Sequence, residues 1–374
     1  VDFELPAADD PRRLAVRSWL AAHPSPSAEV LRDAGYVVPH WPRPWGIGAD
    51  PVEQLVIDEE LARAGVRRPD NPIGIGWAGP TIVAAGSPEQ QQRWLPDLLT
   101  GRAFWCQLFS EPEAGSDLAS LRTSAVRDGD AWIVNGTKIW SSGADHAQLG
   151  ILLARTDAEA PPHRGLSYFV LPMDAPGVDV RPIRDMTGGH PFNQCFFTDV
   201  RIPADHLVGR PGDGWRLANI TLANERVSLS TGGALWGMGP TTDEVLAAIR
   251  RGGAIVDPIE RQEAAGVYAE GFVLRLLGYR VLTAMMNGRQ PGPEASVKKA
   301  IADRHGQRLM ALAARRAGLD ALLTSWSPPG VEPIVSWGSW YWGSLFSRAL
   351  TIGGGTSEVQ RNIIGERVLG LPRS

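Results

Sequence analysis

AWIVNGTKIWSSGADHA, Ala131 to Ala147, is where the periodicity of the chain changes. Apolar residues alternate here over a short run, and Asn135-Gly136 breaks the alternation with a dipeptide typical of hairpin turns. GILLA, LSYFVLP and QCFFTDVRI follow as short β-branched or aromatic runs bounded by Gly, Pro and Asp, and read as strands. TDAEAPPHRG, between two of them, reads as a surface loop. Upstream, residues 11 to about 100 read as helical. Ile57, Leu61 and Ala64 share one helical face, and Ser87-Pro88 in GSPEQQQRWLPDLL is a helix start. From about Trp215 the helical pattern returns. Leu312, Leu319, Leu322 and Leu323 make an apolar stripe, TSWSPPGVEP interrupts the pattern, and a last helix follows a glycine triplet. Helices, then a β module, then helices predict three sub-domains, 1–103, 104–213 and 214–374, and disfavour the alternating order of a Rossmann sheet.

Composition narrows the function classes. With 374 residues the chain exceeds what one core usually spans, and its 43% hydrophobic and 21% charged residues suit a globular enzyme. A net charge of -4 without a basic block argues against nucleic acid and anionic membranes as partners. Cys106 and Cys195 form neither CxxC nor a His-paired metal spacing, so a reducing, cytoplasmic setting is expected, with no metal. His146, His163 and His190 stand apart from carboxylates and cysteines and read as loop residues. No stretch is long and apolar enough to span a membrane, and the acidic VDFELPAADDPRR does not read as a signal peptide.

Three stretches carry chemistry. FWCQLFSEPEAGSDLASL, Phe104 to Leu121, clusters Ser110, Gly115, Ser116 and Asp117 on an irregular loop, where a backbone can approach a phosphate or a heteroaromatic ring. Taken alone, a capped turn at Ser116-Asp117 accounts for it. In NGTKIWSSGADHA, Trp140 beside Ser141 and Ser142 can flank a planar cofactor, although a buried strand tryptophan is the simpler reading. TIGGGTSEVQRN, Thr351 to Asn362, is a glycine-rich turn entering a helix, which aims backbone N–H groups forward, with Thr356 or Ser357 as N-cap.

In this order, SEPEAGSD, NGTKIWSSG, FTDVRIPADHLVG and GGTSEVQRNIIGERVLGLP resemble the acyl-CoA dehydrogenase family over essentially the whole chain. The resemblance implies an N-terminal helical domain, a central β-barrel-like domain and a C-terminal four-helix bundle. It implies FAD, lying between the β domain and the bundle, and oxidation of an acyl-CoA thioester to the 2,3-enoyl-CoA. Gln107, Phe109 and Ser110 would line the flavin ring, and Gly115 and Ser116 would lie near the pyrophosphate or the CoA arm. Trp140 would cover one ring face, Ser142 would reach N5, and Thr356 and Glu358 would contact FAD from the helix start. Many members carry the catalytic base just before the Gly-Thr of the last loop. Here that position is Gly354, which leaves only a backbone N–H for the thioester carbonyl. Other members place the base on an early helix of the C-terminal domain, before an arginine. Glu225-Arg226 in TLANERVSLSTGG matches that position, which makes Glu225 the expected base and Arg226 a substrate contact.

Two family segments that hold the ADP half of FAD across a subunit interface, RxxFG and QxxGG, are missing from RRGGAIVDPIERQ and VSWGSWYWGSLFSR. Either Arg250 or Arg251 substitutes within a homo-oligomer, a dimer or tetramer, or a related chain supplies the groups in a heterotetramer. Actinobacterial members acting on steroid-like or branched acyl-CoAs look similar to this pattern, with an electron-transfer flavoprotein as the expected acceptor. Two readings compete: an acyl-CoA oxidase or carrier-protein-linked dehydrogenase of secondary metabolism, and a non-catalytic partner subunit.

Overall fold

Helices of the N-terminal segment start on capping side chains. In the computed structural model, which describes residues 6–229, 233–237, 239–286, 292–319 and 340–372, α1 (Pro11–Ala22) starts on Asp10, α2 (Ala28–Asp33) on Ser27 and α3 (Pro51–Arg63) on Asp50. The short α4 (Gly79–Ala85) continues a π-helical turn, and α5 (Pro88–Thr100) starts on Ser87. Ser87 and Gln90 exchange both bonds of a capping box, which satisfies two backbone donors at that helix start. Ile57 and Leu61 are buried on α3, while Ala64 is its exposed C-cap. Glu60, also buried, accepts from Arg13 and Arg17 at 2.8 Å and so pins α1 to α3.

Eight strands follow: β1 (Trp105–Leu108), β2 (Ser124–Asp128), β3 (Ala131–Ser142), β4 (Leu149–Arg155), β5 (Leu166–Pro172), β6 (Val178–Ile183), β7 (Phe192–Pro203) and β8 (Leu207–Val208). They form one sheet in the order β6-β7-β3-β2-β4-β5-β8, with β1 beside β4 in parallel. Successive side chains of β4 and β5 point to opposite faces, and both faces are covered. Ile151, Leu153, Tyr168 and Val170 join the core shared with α3 and α5. Leu152, Ala154, Phe169 and Leu171 join a second core with Trp132, Val134 and Phe197.

The remaining helices are α6 (Gly214–Leu229), α7 (Thr242–Arg251), α8 (Pro258–Met286), α9 (Ala295–Ala317), α10 (Trp340–Phe346) and α11 (Ser357–Ile363). The chain divides into two compact units. One runs up to Asp185 and includes His190–Asn224; the other holds Met186–Gly189 and the chain from Glu225 onward. The N-terminal helices and the sheet thus share one unit, because a single core runs through both. Within the second unit, α9 packs against α7, α8, α10 and α11.

The structure changes two sequence expectations. Asn135-Gly136 makes no turn: β3 runs straight through it with a bulge against β7, and the hairpin turn falls instead at Gly129, at φ +58°. A side chain on residue 136 would meet Thr123 Oγ1 at 2.4 Å, so the glycine serves a close approach. The Asn135 amide brackets the bulge, donating to Asp199 Oδ1 at 3.0 Å and accepting from Asp199 N at 2.9 Å. The leucine stripe also fails: α9 stops at Ala317, with Leu312 buried and Leu319 83% exposed. Leu322, Leu323, TSWSPPGVEP and the start of VSWGSWYWGSLFSR lie outside the described residues.

Candidate active site

In the first unit a buried ion pair joins two of the stretches read from the sequence. Lys138 Nζ donates to Glu111 Oε1 at 2.8 Å and to the Phe109 carbonyl at 2.9 Å. Glu111 also accepts from Arg122 N at 2.7 Å and Thr123 N at 2.8 Å, and Ile139 N donates to Ser110 O at 2.9 Å. Burial pulls the fully enclosed Lys138 down to about 8 against the pull of Glu111. Burial pushes Glu111 upward, but Lys138 and its hydrogen bonds hold it below the usual carboxylate value. This network fixes the backbone of Phe109–Glu111 against that of Lys138–Ile139.

Next to that anchor the chain exposes an indole. Trp140 sits within a second β3–β7 irregularity, between Lys138 and Ser141, at φ +62°, and is 57% exposed, edge-on to Phe192 at 5.9 Å. It is not the buried strand tryptophan of the simpler reading. A non-glycine residue held in left-handed backbone costs about 1–2 kcal/mol, and the strained ring faces outward instead of packing in a core. Gln107 on β1, Ser110 and Ser142 are half-buried, whereas Gly115, Ser116 and Asp117 are exposed. The loop after Asp117 makes a 3-10 turn, Leu118–Ser120, without a side-chain cap. Phe109 differs from its neighbours. Its ring is buried, edge-on to Tyr168 at 6.0 Å, and only its carbonyl serves the anchor.

The second unit gathers the glycine triplet and the end of α6, from Glu225 onward. Gly354 has φ +66°, and a Cβ there would lie 2.6 Å from Leu229 Cδ1, 2.9 Å from Lys299 Cε and 3.4 Å from Glu225 Oε1. Glu225, 6% exposed, therefore stands beside the loop that lacks a side chain. Arg226, next on the helix, has its guanidinium pulled below its usual value by burial, with Glu225 opposing. Gln360 Nε2 donates to the carbonyls of Gly354 and Gly355, each at 3.1 Å, and so shapes the loop. Thr356 caps α11 by accepting from Val359 N at 3.2 Å, while the exposed Glu358 pairs with Arg361 at 3.1 Å. A cavity of about 470 Å³ in this unit is lined by Leu229, Leu350, Asp303 and His305 among others.

Comparison with known proteins matches three family descriptions in succession. They are the acyl-CoA dehydrogenase N-terminal domain over residues 12–102, the middle domain over 106–200 and the C-terminal domain over 212–369. The chain belongs to the acyl-CoA dehydrogenase family. It is 41% identical over 374 residues to acyl-CoA dehydrogenase FadE34 of Mycobacterium tuberculosis, covering all of this chain and 50% of that protein, so it spans half the length of this relative. Among solved structures, the Tcur3481-Tcur3483 steroid ACAD superposes with a TM-score of 0.81 at 30% identity, over 100% of both chains. The ChsE4-ChsE5 complex from Mycobacterium tuberculosis does so with 0.78 at 31%, again over 100% of both.

For a member of this flavoprotein family, the residues present fit a flavin. An outward indole under backbone strain, flanked by half-buried Gln107, Ser110 and Ser142, offers a planar ring a face to cover and polar groups to meet. Ser357 Oγ, buried at the start of α11, has no hydrogen-bond partner among the described residues. Sequence reasoning missed Lys138, Glu111, Gln360 and Lys299. A lysine inside TKIW, three residues from a serine, gives no hint that it is buried against a carboxylate far upstream. Arg250 and Arg251 are exposed at the end of α7. Among the described residues no His, Cys, Asp and Glu cluster suits a metal, and no helix is long and apolar enough to cross a membrane.

Proposed function

We propose that this chain catalyses the α,β-dehydrogenation of an acyl-CoA thioester to the 2,3-enoyl-CoA, with FAD held by the Gln107–Ser110 and Trp140–Ser142 surface and Glu225 as the base. The observation that carries the reading is Glu225 Oε1 standing 3.4 Å from the place of the missing Gly354 Cβ. A carboxylate from α6 thus supplies charge where the glycine loop supplies none.

The proton α to a thioester is a very weak acid, so its removal needs a carboxylate out of bulk water and donors at the thioester carbonyl. Glu225 takes the proton at its carboxylate. The Gly354 N–H donates to the carbonyl oxygen, and the Gln360 amide keeps that loop in shape from its carbonyl side. When bound, FAD would supply the acceptor for the hydride that leaves the β carbon. Gly115 and Ser116 serve the pyrophosphate or CoA arm, Arg226 the substrate, and Thr356 and Glu358 the cofactor. Replacing Glu225 by Gln is expected to leave flavin bound but to abolish its bleaching by acyl-CoA, in a screen of straight-chain, branched and steroid thioesters. Bleaching near the parent rate would sink the assignment.

A bulky, ring-bearing acyl group is supported by the likeness to a structure described as a steroid ACAD. Assembly with a second chain of the same fold is supported by the ChsE4-ChsE5 complex among its structural relatives. It is also supported by an outward apolar stripe on α8, where Tyr268, Phe272, Leu276 and Tyr279 recur at helical spacing and are all exposed. Flavin content and mass of the chain expressed alone and with candidate partners test this, with reduction of an electron-transfer flavoprotein as the acceptor assay.

A further inference from the structure

Lys299 takes no part in the chemistry above, yet it is fully enclosed beside the proposed base. Its Nζ donates to Asp303 Oδ2 at 2.6 Å and to the Leu350 carbonyl at 3.3 Å. Leu350 belongs to the 3-10 turn Ser347–Thr351, which leads directly into the glycine loop. Lys299 Cε and Glu225 Oε1 converge on one point beside Gly354, at 2.9 Å and 3.4 Å from it. The stem of a buried lysine and a buried carboxylate therefore meet beside one glycine, and a second buried carboxylate holds the lysine's ammonium.

This geometry has an electrostatic consequence. Burial alone disfavours an ionised Glu225, and a protonated glutamate cannot act as a base. A cation within a few ångströms in a poorly solvated site reverses that penalty, shifting a neighbour by about one pKa unit or more. Other charged groups on the elements packed here include Arg226 beside Glu225 on α6, Lys298 and His305 on α9, Asp243 on α7, Arg275 on α8, and Glu270 on α8, which pairs with His305 and Arg308. Arg348 lies in the 3-10 turn, Glu358 and Arg361 on α11, and Glu366 and Arg367 beyond it. Of these, Arg226 is the second cation at the base; Asp243, Arg275, Glu358 and Arg361 pair with each other in exposed positions.

We propose that Lys299 is a positioning residue for proton abstraction: its ammonium keeps Glu225 ionised and ties down the glycine loop through Leu350, while Asp303 holds the ammonium in place and moderates its charge. The proposal rests on Glu225 being the base. Burial pushes Asp303 up to about 6 against the pull of Lys299, so its moderating charge is itself incomplete near neutrality.

The test titrates ¹³C-labelled glutamate carboxyls in the flavin-loaded protein, with the Glu225 signal identified by its loss in Glu225→Gln. Bleaching by cyclohexanecarboxyl-CoA is followed against pH in parallel. Lys299→Met is expected to raise the Glu225 pKa, and the acid limb of the bleaching profile, by about one unit. Asp303→Asn is expected to lower both. The double variant, which removes both charges, is expected to settle above the parent value but below Lys299→Met, because the ammonium outweighs the carboxylate that moderates it. A role in packing alone predicts no such opposed movement. Should Lys299→Met not fold, Asp303→Asn and the double variant still carry opposite expectations. A Glu225 titration that stays put in every variant, or moves the same way in both single variants, overturns the proposal while leaving Glu225 as base. Normal bleaching by Glu225→Gln overturns both.

Discussion

Replacing Gly354 by Ala adds a single methyl group, and the structure says where it goes. The residue sits at φ +66°, where a side chain costs about 1–2 kcal/mol. The methyl would lie 2.6 Å from Leu229 Cδ1 and 2.9 Å from Lys299 Cε, so the ends of those two side chains must shift. Forcing extra volume into a packed site costs about 1–3 kcal/mol. The expected loss is therefore about 2–5 kcal/mol. Gly370→Ala isolates the first part, since Gly370 has φ +69° with nothing within 4 Å; it should lose only the backbone share. Urea unfolding of the flavin-loaded proteins measures both. Because Glu225 Oε1 is 3.4 Å from the new methyl, the displacement reaches the proposed base. Stopped-flow bleaching should slow by about ten- to a hundredfold, as for other ångström-scale misplacements. The reasoning fails if Gly354→Ala is no less stable than Gly370→Ala and bleaches at the parent rate.

Lys138→Met leaves Glu111 buried beside an apolar side chain. A loss of about 3–5 kcal/mol is expected, with flavin released more readily because the Phe109–Glu111 backbone loses its anchor; denaturant titration and flavin retention on gel filtration check it. Glu60 has its carboxyl held at about 2, first by its hydrogen bond to Arg17 and also by Arg13, with burial opposing. Its folded value lies below its ordinary one, so its contribution is complete above about pH 4.5 and is lost as pH falls toward about 2. Hydrogen exchange should show α1 and α3 loosening through that window, and Glu60→Gln should remove the pH dependence along with the protection.

Local chemistry made much of the fold legible. Ser87-Pro88 opened a helix as its capping chemistry requires, and β4, β5 and β7 fell on the runs their composition marked. Asn135-Gly136 misled because the dipeptide favours a turn locally, while a partner strand and Asp199 made a bulge the better use of the same glycine. Leu319 misled because helical spacing was carried past the end of α9. At the site, the vacancy at Gly354 and the carboxylate at 225 could be read together only through the family pattern. Lys299 and Gln360 could not be read at all, since their work is done on backbone carbonyls of a loop whose shape no spacing encodes.

One hydroxyl constrains how this site can change. Thr221 Oγ1 is buried within 2.8 Å of Thr81 Oγ1 and 3.0 Å of Tyr168 Oη, a three-oxygen knot that clamps α6 to α4 and β5. Glu225 comes one helical turn later on the same helix. Moving the carboxylate one place along the sequence would swing it by about 100°, and a one-residue insertion between 221 and 225 would do the same. On the proposed role of Glu225, such a change would keep the helix and still take the carboxylate away from Gly354, with turnover lost. The spacing between a threonine and a glutamate is thus a heritable dial with one working setting.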